Sequence, residues 1–199
     1  MNIDIYTDGG AFRGENYAAW SFIIPGINPT DFCHCRNTYI GRSGLLSDST
    51  HNGAEIMAVA FALEFVASTA SRFVNLDSVT IHSDCNRPVD ALNGLLEKWA
   101  NNGWRTLSPA GKRKHAEGSR NLSEKDKWVF LYAQVKLIEC LGLKINAIKI
   151  PSHSGIYWNE KCDSFVKSHL SIAAQGNAED DESRTLNRPK TERSALLVT

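Results

Sequence analysis

The sequence predicts an α/β fold: a five-stranded mixed sheet, its first three strands an antiparallel meander, flanked by helices. Two observations carry this. Three β-rich stretches open the chain, and the links between them are too short for a crossover helix, so they run antiparallel. From about Gly53 the apolar period becomes helical, and helices then alternate with two more strands. Such an order builds a sheet with helices on its faces.

Ile3 to Thr7 reads as the first strand, with Gly9-Gly10 turning the chain. Tyr17 to Ile24 is apolar and β-rich, and Pro25-Gly26 stops it. Phe32 to Ile40 alternates loosely as a third strand. From Gly53 to Ala67, Ile56, Val59, Ala60 and Leu63 recur at helical spacing. Val79 to His82 is the fourth strand; Asp84 to Leu92 and Leu95 to Asn102 read as helices. Lys127 to Leu141 is amphipathic, with Trp128, Leu131, Val135 and Ile138 on one side. Leu143 to Ile150 is the fifth strand, and Asn159 to Ile172 the last helix, capped by Asn159. Residues 173–199 turn polar without periodicity and are expected to form a disordered tail behind a domain at 1–172.

Composition limits the function classes. Hydrophobic content of 42% and a net charge of zero fit an ordinary globular protein. Charge is nonetheless unevenly placed: from Lys98 to Lys127, eight basic residues face three acidic ones. A basic stretch in a neutral chain is a candidate phosphate contact, or a solvated loop. The five cysteines match no zinc spacing, which points to a reducing, cytoplasmic setting. Cys33-His34-Cys35 reads either as a metal clip or as a strand with two small core residues. No signal peptide is expected from Met1-Asn2-Ile3-Asp4. No stretch approaches about 18 apolar residues, so no membrane span is expected.

Four acidic residues lie in separate parts of the chain. Asp8 and Asp84 end strands; Glu55 and Asp163 open helices. Each has an ordinary alternative. Asp8 can shape a turn, Glu55 can complete a capping box led by Asn52, Asp84 can cap a helix, and Asp163 can meet a helix dipole. Their joint placement says more, because sites in open α/β sheets lie beyond strand carboxyl ends. Carboxylates brought together there require a cation, and hard cations such as Mg²⁺ take oxygen ligands.

The residues around these positions resemble the type 1 ribonuclease H family. Thr7-Asp8-Gly9 matches its strand end. Thr50-His51-Asn52-Gly53-Ala54-Glu55-Ile56-Met57-Ala58 matches its turn and helical Glu, and Ser83-Asp84 its third element. His153-Ser154-Gly155 and Asn159-Glu160-Lys161-Cys162-Asp163 match the fourth. Trp99-Ala100-Asn101-Asn102-Gly103-Trp104 is similar to its hybrid-gripping basic protrusion, and Asp126-Lys127-Trp128 to the start of the next helix. The resemblance covers about residues 1 to 170.

The resemblance implies a ribonuclease H-like fold and an endoribonuclease that cuts the RNA strand of RNA–DNA hybrids with two Mg²⁺ ions, Mn²⁺ substituting. Asp8 would bridge, with Glu55 and Asp84 on one ion and Asp163 on the other. His153 would shuttle a proton or assist product release. Gly9 would admit the nucleic-acid backbone, Asn52 and Asn86 would reach 2′-hydroxyls or base edges, and Thr50 would hold a DNA phosphate. Lys98 and Arg105, with Lys112, Arg113 and Lys114, would contact phosphates, and Trp99 and Trp104 would belong to the protrusion. The turn Ala11 to Asn16 is short for the family, and His51 stands where Asn is common. Ala100-Asn101-Asn102 replaces basic residues, a loss that a segment at about Leu107 to Asn121 is expected to restore. A monomer is expected. The alternative is a hybrid- or duplex-RNA-binding module without catalysis, whose mark would be a missing carboxylate. An Asp-x-Glu exonuclease is disfavoured because Gly10 stands where its Glu would be. A transposase or integrase would end on Glu, not Asp163.

Overall fold

Alternation in the opening strand decides which face meets the core. In β1 (Asn2–Ala11), Ile3, Ile5 and Thr7 are buried while Asn2 and Asp4 are exposed, the period-2 signature of a pleated strand. Our computed structural model describes residues 1–12, 17–106 and 122–186. The expected basic segment at Leu107 to Asn121 and most of the short turn before Tyr17 lie outside these residues. β1 pairs antiparallel with β2 (Tyr17–Ile27), which pairs antiparallel with β3 (His34–Ser47). On its other side β1 runs parallel to β4 (Ser78–Ser83), and β4 runs parallel to β5 (Lys144–Lys149). The order β3-β2-β1-β4-β5 is the mixed sheet that the sequence predicts.

Helices cover both faces. On one, α1 (His51–Thr69) packs between the sheet and α4 (Lys125–Cys140). Because it has neighbours on two sides, α1 is apolar around most of its surface. By length and composition His51–Arg72 is apolar enough to cross a membrane, contrary to the expectation that no stretch comes close. Its apolar side chains, among them Ile56, Val59, Leu63 and Val66, instead meet the core. Trp128, Leu131 and Ile138 of α4 are fully buried beside it; Val135 is half-buried. On the opposite face α5 (Tyr157–Leu186) sets Val166 and Leu170 against Ala19 of β2.

Several boundaries differ from the sequence reading. β1 does not turn at Gly9-Gly10; it continues to Ala11, with Gly9 opposite Trp20 and Gly10 opposite Ala19. The two glycines serve opposite faces of the strand. A Cβ on Gly9 would overlap the Glu55 backbone nitrogen and lie 2.7 Å from its Cα; one on Gly10 would lie 2.7 Å from Val166 Cγ1. Each glycine thus lets a helix approach closely. β2 runs through Pro25-Gly26 by a bulge between Pro25 and Ile27, a place where proline is tolerated in a sheet. β3 continues to Ser47. Cys33 is exposed and Cys35 half-buried, so the pair is neither a core couple nor, among the described residues, part of a metal cluster.

The helices after β4 are α2 (Asn86–Asp90) and α3 (Leu96–Asn101), joined by a widened turn that breaks at Gly94, φ 115°. Asp84 therefore precedes α2 without capping it, and the N-cap Cys85 makes no side-chain bond there. α5 begins at Tyr157, which leaves Asn159 inside its first turn instead of at its cap. The helix also continues past Ile172 to Leu186, where a disordered tail is the expectation. Ala173, Ala174 and Gln175 are good helix formers and carry the helix past the expected end at Ile172. Residues 187–199 lie outside the described range.

Candidate active site

The parallel ladder between β1 and β4 ends at the pair Thr7↔Ser83. Asp8 and Asp84 are the next residues on each strand, so both leave the sheet side by side. Glu55 reaches them from α1, held there by the contact of its backbone on Gly9. Carboxylate oxygens of Asp8, Glu55 and Asp84 lie within 4.8 Å of one another. Asp8 and Glu55 are buried, at 7% and 3% exposure, and Glu55 Oε2 has no hydrogen-bond partner.

Burial and mutual repulsion raise the proton affinity of this group. The Asp8 carboxyl is pushed up to about 7 by burial first, then by Asp84 and Asp163. Glu55 is pushed well above the ordinary range by burial, then by Asp8 and Asp84. A buried carboxylate oxygen without a partner, facing two further carboxylates, fits a divalent cation: the ion neutralises the cluster and gives that oxygen a ligand role.

Asp163 approaches from the first turns of α5. It groups with His153 and Glu160, one ligand atom from each lying within 4.8 Å of the others. His153 sits on the exposed β5–α5 loop in a left-handed conformation, φ 47°. A cleft of about 410 Å³ holds all four carboxylates and His153 together with His51, Asn159 and Lys167.

Four neighbours were not singled out as site residues from the sequence. Asn159 is buried, and its amide donates to Asp84 Oδ2 at 3.4 Å. Lys149 donates to the Asp84 carbonyl at 2.6 Å. Lys167 pairs with Asp163 at 2.5 Å, and His51 Nε2 is 3.8 Å from Glu55 Oε1. The i, i+4 spacings of His51–Glu55 and Asp163–Lys167 are visible in the sequence; the Asn159 contact is not. Cys162, beside Asp163 in sequence, is a core thiol. Its Sγ donates to the Tyr6 carbonyl at 3.3 Å, and burial pushes its pKa up.

The expected substrate contacts divide. Asn52, Asn86, Lys98 and Arg105 are exposed. Gly9 lines the cleft, with its α-carbon closed off by α1. Trp99 is corrected: it is 8% exposed and packs edge-on against Trp128 at 5.0 Å, so it fixes α3 to α4 and offers no ring to a ligand. Trp104 is half-buried on Tyr132 at 5.7 Å. Its carbonyl accepts from Leu122 N–H at 2.9 Å, a bond between residues on either side of the basic segment. Thr50, not Asn52, caps α1, accepting from Gly53 N–H at 3.0 Å. Its own proton goes to Glu124 Oε1 at 2.6 Å.

The raised Asp8 carboxyl has a consequence for stability. The folded chain keeps this proton up to about pH 7, while the unfolded chain releases it near 3.8. More protons are bound in the folded state across that window, so stability falls as pH rises through it. Without metal, the melting temperature is expected to be higher near pH 5 than near pH 8. Mg²⁺ or Mn²⁺ should raise it most at the higher pH, where the cluster is ionised. Thermal melts in EDTA and in excess metal check both halves; a metal-free melting temperature that rises with pH would contradict the first.

Comparison with known proteins gives a consistent picture. The RNase H family model matches residues 1–171. A ribonuclease H of Treponema denticola is 24% identical over 170 residues, spanning 82% of this chain and 93% of the relative. The N-terminal RNase H domain of a Mycobacterium tuberculosis protein aligns with a TM-score of 0.56 at 17% identity, over 88% of this chain and 98% of that one. LC11-RNase H1, solved in complex with an RNA/DNA hybrid, aligns with a TM-score of 0.52 at 19% identity, over 86% and 99%. The two structural likenesses establish the fold as RNase H-like. With the family model spanning nearly all of the described residues, the chain belongs to the RNase H family.

Proposed function

We propose that the chain is an endoribonuclease that hydrolyses the RNA strand of RNA–DNA hybrids, using two divalent cations, Mg²⁺ or in its place Mn²⁺. The observation that carries this is the convergence of Asp8, Glu55 and Asp84 within 4.8 Å, with Glu55 Oε2 buried and partnerless. Asp8, Glu55 and Asp84 would hold one ion, and Asp163 with Asp8 the other. Paired cations supply charge neutralisation of a scissile phosphate and acidify a bound water. LC11-RNase H1 is solved with an RNA/DNA hybrid, and the same substrate class is proposed for this chain.

The chain's own residues have defined tasks in this reading. Asn159 and Lys149 fix Asp84 by its carboxylate and its carbonyl. Lys167 offsets the charge of Asp163. His153, exposed beside Asp163 and Glu160, takes or gives a proton at an imidazole nitrogen. Asn52 and Asn86 meet the minor groove, while Lys98 and Arg105 meet phosphates.

The test is cleavage of a labelled hybrid in Mg²⁺ and in Mn²⁺, beside single-stranded RNA, duplex RNA and duplex DNA. Cutting of the RNA strand of the hybrid alone is expected. Binding without cleavage in either metal would instead support the non-catalytic hybrid-binding reading.

A further inference from the structure

Thr50, the residue expected to hold a DNA phosphate, already holds an anion. Its hydroxyl donates to Glu124 Oε1 at 2.6 Å, and Glu124 Oε2 lies 2.5 Å from Lys127 Nζ. The Glu124 side chain is 14% exposed. Its backbone is left-handed, φ 60°, a conformation uncommon for a residue with a Cβ. The carboxylate reaches back across the first turn of α1: a Cβ on Gly53 would lie 3.0 Å from Glu124 Oε2, 2.9 Å from Lys127 Cε and 2.6 Å from Ser49 Oγ. Burial pushes the Glu124 carboxyl up, but the bonds from Lys127 and Thr50 outweigh it and leave the group below the ordinary range. It is therefore ionised at neutral pH.

Ser49 supplies an independent observation. It is 6% exposed, and its Oγ has no hydrogen-bond partner although it faces this same turn. A helix N-terminus with two hydroxyls and an ammonium beside it is anion chemistry. Glu124 satisfies Thr50 and Lys127 but leaves the Ser49 hydroxyl unused. A phosphate has more acceptor oxygens than a carboxylate and can take all three. Along the axis of α1 the seat is about 7.5 Å from Glu55, next to the carboxylate cluster and outside it.

We propose that Glu124 occupies the phosphate seat at the N-terminus of α1 and competes with the nucleic-acid backbone for it. This carboxylate then sets how tightly the chain holds a hybrid. Binding a phosphate there requires the Glu124 side chain to leave Thr50, and its departure frees Lys127 as well. The inference rests on the hybrid reading above.

The experiment measures hybrid binding by fluorescence anisotropy in EDTA across a salt series, with hybrid cleavage in Mg²⁺ measured in parallel. Glu124→Gln keeps the shape and removes the charge; Glu124→Asn also removes the charge, shortens the side chain by one methylene and tolerates the left-handed backbone. Both are expected to lower Kd about tenfold and to steepen the slope of log Kd against log salt by roughly 0.9, the value of one added phosphate contact. Adding Thr50→Val to either should remove most of the gain. An unchanged or weaker Kd in both variants overturns the proposal. So does a gain that survives Thr50→Val, since that is the mark of a general charge effect. Wild-type chain that binds but does not cleave would defeat the hybrid-cleavage reading alone; no hybrid binding by any of the proteins would defeat both.

Discussion

Asp84→Asn is expected to lower hybrid cleavage by more than about 10³-fold, as loss of several kcal/mol of cation-borne stabilisation requires. Asp84 is one of three carboxylates within 4.8 Å, and its charge raises the proton affinity of both Asp8 and Glu55. Asparagine keeps the size and the contact with Asn159 but withdraws a negative charge from a crowded place. The fold should therefore survive, and in EDTA near pH 8 the variant should melt above the wild type because repulsion is relieved. Its midpoint should then gain less from added Mg²⁺ than the wild type's does. Cleavage assays and melts with and without metal check both statements. A variant that cleaves at wild-type rate would remove Asp84 from the site; one that unfolds would make it a structural residue.

Gly9→Ala is expected to be the most damaging single-methyl change near the site, at about 3 kcal/mol or more of stability. The new Cβ would meet backbone, not a side chain that can swing away: the nitrogen and Cα of Glu55. Either β1 or the start of α1 must shift, and both carry cluster carboxylates. Cleavage should fall along with stability. Gly10→Ala is a built-in comparison, because its Cβ would meet a single side-chain methyl, Val166 Cγ1 at 2.7 Å, and no backbone atom. Urea denaturation of both variants tests this; a Gly9→Ala chain within about 0.5 kcal/mol of wild type would contradict it.

These two glycines also show where sequence reading stops. Glycine is the strongest turn signal in a sequence, and Gly9-Gly10 follows a strand, so a turn is the natural expectation. What requires glycine here is helices pressing on both faces of β1, a tertiary fact that no local pattern carries. The antiparallel meander and the placing of Asp8 and Asp84 at strand ends were legible, because strand ends and element order are local signals with fixed geometric meaning; that β1 and β4 are neighbours comes from the structure. Asn52 offers a capping box from sequence, but Thr50 is as good a capping residue, and only the structure shows that Thr50 bonds Gly53. Asn159 suits a cap for the same reason, and its turn toward Asp84 joins residues 75 apart. The Thr50–Glu124 contact spans 74 residues and left no trace in spacing.

The register of β1 on β4 carries a consequence for how the chain acquires its site. Thr7 and Ser83 are 76 positions apart, yet their pairing is what sets Asp8 beside Asp84. Parallel pairing at that separation closes a long loop before any contact rewards it, which makes it a slow class of folding event. The cation site thus cannot precede the central ladder, and an incompletely folded chain has no place to concentrate metal. The three clustered carboxylates come together only once the β1–β4 ladder has formed.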